Sequence, residues 1–405
     1  MLFAIASLLG FVSIGVLSLS LFLLVQVLAA VRTRTQAISS SGPGIIDDNT
    51  TDDSPLTVLI PAHDEEAVIA KTLKSVSHQL LADDRLVVVA DNCTDKTAEI
   101  ARDAGAKVLE RFNEVDRGKG FALHHGVQAL VDDPPRVLVV IDADCVLAPS
   151  ALQVLRVAVL EKGLPMQALY IMEPPTNPSL QQRFAAFAWR MKNEIRALGS
   201  HQLGFPCQLQ GTGFAMPWSL VERVNFASDN IVEDTQLGID LALIGTPVSF
   251  CPAASVTSVF PDSLHGAASQ RTRWEHGHLA TLISQVPKLL KSALSKNNLS
   301  LAWLAVDLAI PPLALFALIN LVLLLCSSLM VGMSDVFWPF YISSIACVVF
   351  LTAVIVAWWQ VGRQLLSFWH LACVPWYILR KLPIYLGFLV NRQRAWIRTE
   401  RDDRP

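Results

Sequence analysis

The sequence predicts an α/β domain with a mostly parallel sheet, joined to membrane-spanning and interfacial helices. Three observations lead there. Between residues 56 and 150, short Val, Leu and Ile runs alternate with stretches of helical spacing, the pattern of parallel strands joined by crossover helices. Those runs end in acids or glycines, at the strand ends where open α/β sheets bind ligands. Apolar stretches lie on either side of the domain, beginning with the uncharged Leu2 to Val31, and each exceeds the ~20 residues that cross a bilayer.

Taken in order, residues 1–31 are expected to form an N-terminal transmembrane anchor. A cleaved signal peptide would show a basic start, a shorter apolar core and a small-residue exit. Residues 32–54 are polar and aperiodic, a linker. Residues 303–361 hold two further spans, Leu304 to Met333 and Phe337 to Val361, around a turn at Ser334 and Asp335. Residues 365–405 are apolar but interrupted by Pro375, Arg380, Lys381 and Pro383; ionisable groups are costly at mid-bilayer, so an interfacial amphipathic segment with a basic tail is expected. Three spans place that tail beside Arg32 and Arg34, and basic flanks mark the cytoplasmic side. The expected product is an integral protein of a bacterial inner (plasma) membrane, with its catalytic domain in the cytoplasm.

The chain is 52% hydrophobic over 405 residues with a net charge of -3. No basic domain argues for nucleic acid. Its seven cysteines are scattered singly and read as thiols on a reducing side. The sequons at Asn49 and Asn92 would go unused there.

The catalytic domain is expected over residues 55–295. Leu56 to Ile60 is a strand, Pro61 to Glu66 its exit loop, and Ala67 to Leu80 a helix. Arg85 to Ala90 is a second strand ending at Asp91; Val108 to Glu110 is a short third; Gly118-Lys119-Gly120 opens the next helix. Arg136 to Val146, RVLVVIDADCV, then delivers Asp142 and Asp144 to one place. Two such acids repel unless a divalent cation sits between them and a polyanion. The domain has no Gly-x-Gly-x-x-Gly or Walker loop, so a phosphate ligand would be held by metal and basic side chains, Lys119 among the candidates.

Glu233 and Asp234 open a later helix, where acids are favourable for electrostatic reasons alone; they equally suit a general base. Gln270-Arg271-Thr272-Arg273-Trp274 offers a forked donor for phosphate and a flat indole for a sugar ring, or a membrane-surface helix with a snorkelling arginine. Gly211, Thr212 and Gly213 form a loop that allows close approach of backbone to ligand. His276 and His278 lack companion metal ligands and read as hydrogen-bonded histidines.

The order IPAHDEE, ADNCTDKTAEIA, GKGFAL, VIDAD, GTG, VEDT and QRTRW resembles the inverting family 2 glycosyltransferases of GT-A fold, in particular the membrane-embedded branch of cellulose, chitin, hyaluronan and poly-N-acetylglucosamine synthases. The resemblance covers Leu56 to about Leu282. It implies that Asp91 holds the nucleoside of a UDP-sugar, with Pro61, His63 and Glu65 lining the same pocket. It implies that Asp142 and Asp144 carry Mg2+ or Mn2+, Asp144 as the direct ligand, and that Lys119 and Arg273 contact the diphosphate. Asp234 becomes the base, with Glu233 beside it; Gly211, Thr212, Gly213, Gln270 and Trp274 face the acceptor. Val232 stands where the family motif has Thr, and an arginine common a few residues on is missing between Gly238 and Gly245.

The implied reaction transfers glucose or N-acetylglucosamine to a growing β-linked polysaccharide. Three spans are few for an export channel, which would then require the interfacial segments, a second copy or an export subunit. The alternative is one sugar added to a membrane lipid. Asp142 to Val146 also fits the Asp-x-Asp-x-Thr/Val signature of aspartate-nucleophile phosphatases, but that signature ends a first strand and here three strand candidates come before it. An inactive scaffold is disfavoured, since no expected acid is missing.

Overall fold

The computed structural model describes residues 2–39, 53–228, 232–261, 264–333 and 336–390, the side chains of 32–39 and 264–269 excepted. In chain order the elements are α1 (Leu2–Ser39), β1 (Leu56–Ala62), α2 (Ile69–Ser77), β2 (Arg85–Asp91), α3 (Thr97–Asp103), β3 (Lys107–Arg111) and α4 (Lys119–Gln128). Next come β4 (Val137–Val140), β5 (Val146–Leu147), α5 (Ala151–Lys162), β6 (Met166–Glu173), α6 (Leu180–Arg190), a π-helical turn (Met191–Arg196) and α7 (Ala197–Gln202). They are followed by β7 (Phe214–Pro217), α8 (Trp218–Val221), α9 (Glu233–Leu243), β8 (Ser249–Val259) and α10 (Leu264–Lys296). The chain continues through α11 (Leu299–Ala309), α12 (Leu313–Met333), α13 (Trp338–Ala357) with a π turn to Gly362, α14 (Phe368–Leu371) and α15 (Val374–Val390). The turn expected at Ser334 and Asp335, the sequon at Asn49 and the basic tail beyond residue 390 lie outside the described residues.

Among the described residues the chain divides into two compact units: 53–177 with 206–277, and 2–39 with 178–205 and 278–390. The expected domain of residues 55–295 is thus shared between them.

The first is a sheet of order β3-β2-β1-β4-β7-β6-β8-β5. Pairings β1/β2, β1/β4, β2/β3 and β6/β8 are parallel; β4/β7, β6/β7 and β5/β8 are antiparallel. Leu56, Val58, Leu59 and Ile60 of β1 and all four residues of β4 are fully buried, as expected of strands covered on both faces. The run from Arg136 is not one strand. It leaves the sheet after Val140, turns with Cys145 N donating to Asp142 O at 3.1 Å, and rejoins as β5 against β8. That departure lifts Asp142 and Asp144 off the sheet's end.

The second unit contains the three helices long and apolar enough to cross a membrane, Leu2–Val31, Leu313–Met333 and Trp338–Gly362. The span expected to begin at Leu304 is divided, because Pro311 and Pro312 remove backbone donors and end α11. Gly10 lets α1 meet α13: a Cβ there would fall 1.8 Å from the Trp338 ring. Gly199 does the same for α7, where a Cβ would lie 2.0 Å from Gln26 O. A polar cluster joins these helices. Arg196 Nη2 donates to Asp307 Oδ1 at 2.8 Å, and Gln26 Nε2 donates to the same oxygen at 2.8 Å and to Ser200 Oγ at 3.1 Å. Trp303 donates to Ser200 Oγ at 3.0 Å while its ring stacks on Phe205. On α15 the spacing i, i+4, i+8 buries Tyr377, Lys381 and Tyr385, and Trp376, Leu379, Leu386 and Leu389 are exposed. His278 is hydrogen-bonded to Ile310 O at 3.0 Å.

Candidate active site

The parallel strands β1, β2 and β4 end on one side, and the acids follow from that. Asp91, the last residue of β2, is 5% exposed. Its Oδ1 accepts from Arg111 Nη1 at 2.6 Å and from Asn92 Nδ2 at 3.2 Å. His63, in the exit loop of β1, donates Nδ1–H to Asp91 O at 2.7 Å. Pro61 pairs in register with Val89. Glu65 N donates to Thr97 Oγ1 at 2.7 Å, and Glu65 O accepts from Val68 and Ile69, so its backbone starts α2. Arg111 escaped the sequence reading. It lies opposite Asp91 in the β2/β3 register, information that exists only once the two strands are paired.

A second group assembles at the end of β4. Lys119, first residue of α4, forms an ion pair with Asp142 and donates to Gly211 O at 2.8 Å. Asp142 N donates to Thr212 Oγ1 at 2.9 Å. Gly211 and Gly213 have φ of +91° and +69°, in the left-handed region that suits glycine. A Cβ on Gly213 would also come within 2.9 Å of Val256, and one on Gly211 within 3.5 Å of Asp234 Oδ2. Gln167, wholly buried on β6, fixes this loop: its Nε2 donates to Thr212 O and its Oε1 accepts from Gln210 N, both at 2.9 Å. No sequence signal marks Gln167, since one polar residue in an apolar strand gives no direction.

Glu233 and Asp234 are the first two residues of α9, and Ile231 falls outside the described residues. Burial pushes the Glu233 carboxyl up to about 7, opposed by Lys119 and reinforced by Asp234. Burial also raises Asp142, with Lys119 opposing and Asp144 adding to the shift. Lys119 is desolvated too, yet Asp142, Glu233 and Asp234 together raise it above the ordinary lysine value. Arg273 is lowered by burial, against the pull of Glu233, Asp234 and Asp142. The electrostatics therefore connect Lys119, Asp142, Asp144, Glu233, Asp234 and Arg273 as one site. Gln270 and Trp274 are half-buried on α10 at i-3 and i+1 from Arg273.

Ligand atoms of Asp142, Asp144 and Cys145 lie within 4.8 Å of one another. Burial holds the Cys145 thiol well above its usual value, and its Sγ donates to Asp144 Oδ1 at 3.4 Å. The donors are thus two carboxylates, a fit for an oxygen-seeking cation such as Mg2+ or Mn2+. Asp64, Cys93 and Asp95 also converge. There the acids cap backbone: Asp64 Oδ1 accepts from Thr94 N at 2.7 Å and Asp95 Oδ2 from Glu66 N at 3.0 Å.

A family model described as glycosyltransferase-like family 2 matches residues 54–277. A probable glycosyltransferase, YdaM of Bacillus subtilis, is 28% identical over 254 residues, 58% of each chain. The 4,4'-diaponeurosporenoate glycosyltransferase of Staphylococcus haemolyticus is 38% identical over 93 residues, 22% of this chain and 24% of that one. The chain thus spans less than two thirds of either relative's length. Among solved structures, a mannosyltransferase from Pyrobaculum calidifontis in complex with GDP-Man and Mn2+ superposes with a TM-score of 0.54 at 15% identity, covering 97% of this chain and 100% of that one. The shared fold is the GT-A arrangement that the motif order implied.

Proposed function

Because the chain belongs to glycosyltransferase-like family 2, we propose that it is an inverting membrane glycosyltransferase that moves glucose or N-acetylglucosamine from a UDP-sugar onto a growing β-linked polysaccharide. The observation that carries this is the convergence of Lys119, Asp142, Asp144, Glu233, Asp234 and Arg273 at the strand ends. The three apolar helices support membrane association, and in this reading the catalytic unit, residues 53–177 with 206–277, faces the cytoplasm of a bacterial inner membrane. Polymer export would enlist membrane lipids and a channel or export subunit.

In this reading Asp91 and His63 hold the nucleoside, with Pro61 and Glu65 shaping the loop around it. Lys119 and Arg273 hold the diphosphate. Asp142 and Asp144 would hold Mg2+ or Mn2+, which when bound screens charge on the departing diphosphate. Asp234 takes the proton of the acceptor hydroxyl as its oxygen attacks the anomeric carbon, and the bond to the diphosphate breaks on the opposite face. Glu233, whose burial favours its protonated form, limits the negative charge beside that base. Trp274, Gln270 and the Gly211-Thr212-Gly213 loop position the acceptor.

A second reading, one sugar added to a membrane lipid, is favoured by the relative named for 4,4'-diaponeurosporenoate, a discrete acceptor. The mannosyltransferase neighbour's GDP-Man adds a third donor to the test. Full chain in nanodiscs would be given labelled UDP-glucose, UDP-N-acetylglucosamine or GDP-mannose with Mg2+ or Mn2+. The expected result is an insoluble product of high mass, reduced ~10²–10⁴-fold by Asp234→Asn and abolished by chelation. Solvent-extractable label would instead establish the lipid acceptor. Equal transfer by the wild type and Asp234→Asn would sink the assignment of the base.

A further inference from the structure

A pocket opens beside Asp234, lined by Lys119, Gly211, Asn225, Ser228, Glu233, Asp234, Gln236 and Asp240 together with Leu123, Phe226 and Leu237. Asp142 and Asp144 do not line it. Lys119, which pairs with Asp142, lines it together with Asp234; the pocket therefore adjoins the base, and it is where an acceptor would sit if the glycosyl-transfer reading holds.

Its walls have a consistent chemistry. Three acidic residues, Glu233, Asp234 and Asp240, line it, with the polar residues Asn225, Gln236 and Ser228. Among the described residues that line it the one cation is Lys119, already engaged by Asp142 and Gly211 O. Arg273, nearby, feels Glu233, Asp234 and Asp142. A phosphate or carboxylate seated past Lys119, against Glu233, Asp234 and Asp240, would meet like charge at short range in a partly desolvated space. A hydroxyl would meet acceptors. The aliphatic and aromatic faces of Leu123, Phe226 and Leu237 suit the CH face of a sugar ring.

Asp240 is the informative member. It follows Asp234 by six residues on α9, about 9 Å along the helix axis, too far to serve the reacting hydroxyl but placed for another part of the same molecule. Gln236 Nε2 donates to Asp240 Oδ1 at 2.8 Å, which fixes the carboxylate while using only part of its accepting capacity. We propose that the acceptor entering this pocket is an uncharged, hydroxyl-bearing sugar terminus, and that Asp240, held by Gln236, receives a hydroxyl of it that does not react.

The test uses a matched pair of acceptors, octyl β-glucoside and octyl β-glucuronide, with polyprenyl monophosphate as a third, supplied to full chain in nanodiscs with whichever labelled donor is turned over. Nucleoside diphosphate release without acceptor is recorded alongside. The expected result is a kcat/KM at least tenfold higher for the glucoside than for the glucuronide or the phosphate. Asp240→Asn raises the glucoside KM more than it lowers kcat, Gln236→Ala does so more weakly, and Asp240→Lys narrows the gap between glucoside and glucuronide. Each variant's thermal unfolding is checked against wild type, so a misfolded protein is not read as a specificity change. Equal use of the charged and neutral acceptors, or a glucoside KM indifferent to Asp240, overturns this proposal while donor turnover leaves glycosyl transfer standing. Absence of any donor turnover overturns both.

Discussion

At the scale of single residues, burial sets the terms. Glu233 has an ordinary carboxyl value of 4.5 and is pushed to about 7 in the fold, so between those values the folded chain keeps a proton that the unfolded chain has released. Its contribution to stability is whole below pH 4.5 and is lost as pH rises through about 7. Relative to Glu233→Gln, the wild type should lose stability on that rise at no more than ~1.4 kcal/mol per pH unit. Denaturation of both proteins in nanodiscs between pH 4.5 and 8 reads this directly, and a difference that does not change with pH would refute it. Away from the site, Asp84 and Arg156 form an ion pair with both side chains 1% exposed. Asp84 also accepts from Leu56 N at 2.9 Å and Leu81 N at 2.8 Å. Asp84→Ala should cost ~3–5 kcal/mol, since it strands a buried guanidinium, and a second change Arg156→Met should restore part of the loss. Urea or thermal unfolding of the single and double variants would show it.

The elements differ in how clearly their sequence announces them. The acids at the ends of β1, β2 and β4 were legible because strand, loop and ligand residue are contiguous, each motif carrying its own surroundings. What pairs across the sheet was not: Arg111 meets Asp91 from a strand 20 residues away, and Arg156 meets Asp84 across 72. Nor was β7, four residues inserted antiparallel between β4 and β6, too short to show a period. The Gly211 to Gly213 loop was legible as a close approach, but the reason for Gly213 lies in Val256 of β8. Gly213→Ala should lower both the melting temperature and transfer, because strain at φ +69° combines with a contact of 2.9 Å and moves Thr212 from Asp142 N. Gly245→Ala, at φ +89° with open space around it, should affect stability alone. If the two variants behave alike in a transfer assay, the loop does not position the site.

For the whole molecule, hydropathy identified the spans, and the prolines at 311 and 312 explain where the second begins. The segment 178–205 was absorbed into the expected catalytic domain, although its helices fall in the unit of the membrane helices. Its apolar stripe of Phe184, Phe187 and Met191 resembles an ordinary amphipathic core helix, and tertiary contacts such as Phe184 stacking on Tyr377 with centroids 4.8 Å apart and Arg196 bonding Asp307 tell the two apart. Within that unit, Asp307→Ala should destabilise the full chain by ~3–5 kcal/mol by leaving Arg196 uncompensated, whereas Ser200→Ala should cost nearer ~1 kcal/mol. Melting temperatures in nanodiscs would rank them; the reverse order would show that the Asp307 carboxylate does not anchor the cluster. The same cluster sets a clock on biosynthesis. Gln26 and Asp307 are 281 residues apart, so at ~5–20 residues per second roughly 15–60 s pass between synthesis of the amide and of its carboxylate partner. Over that interval the first helix, apolar along Leu2–Val31, carries an amide whose other partner, Ser200, is made midway while the carboxylate is still to come.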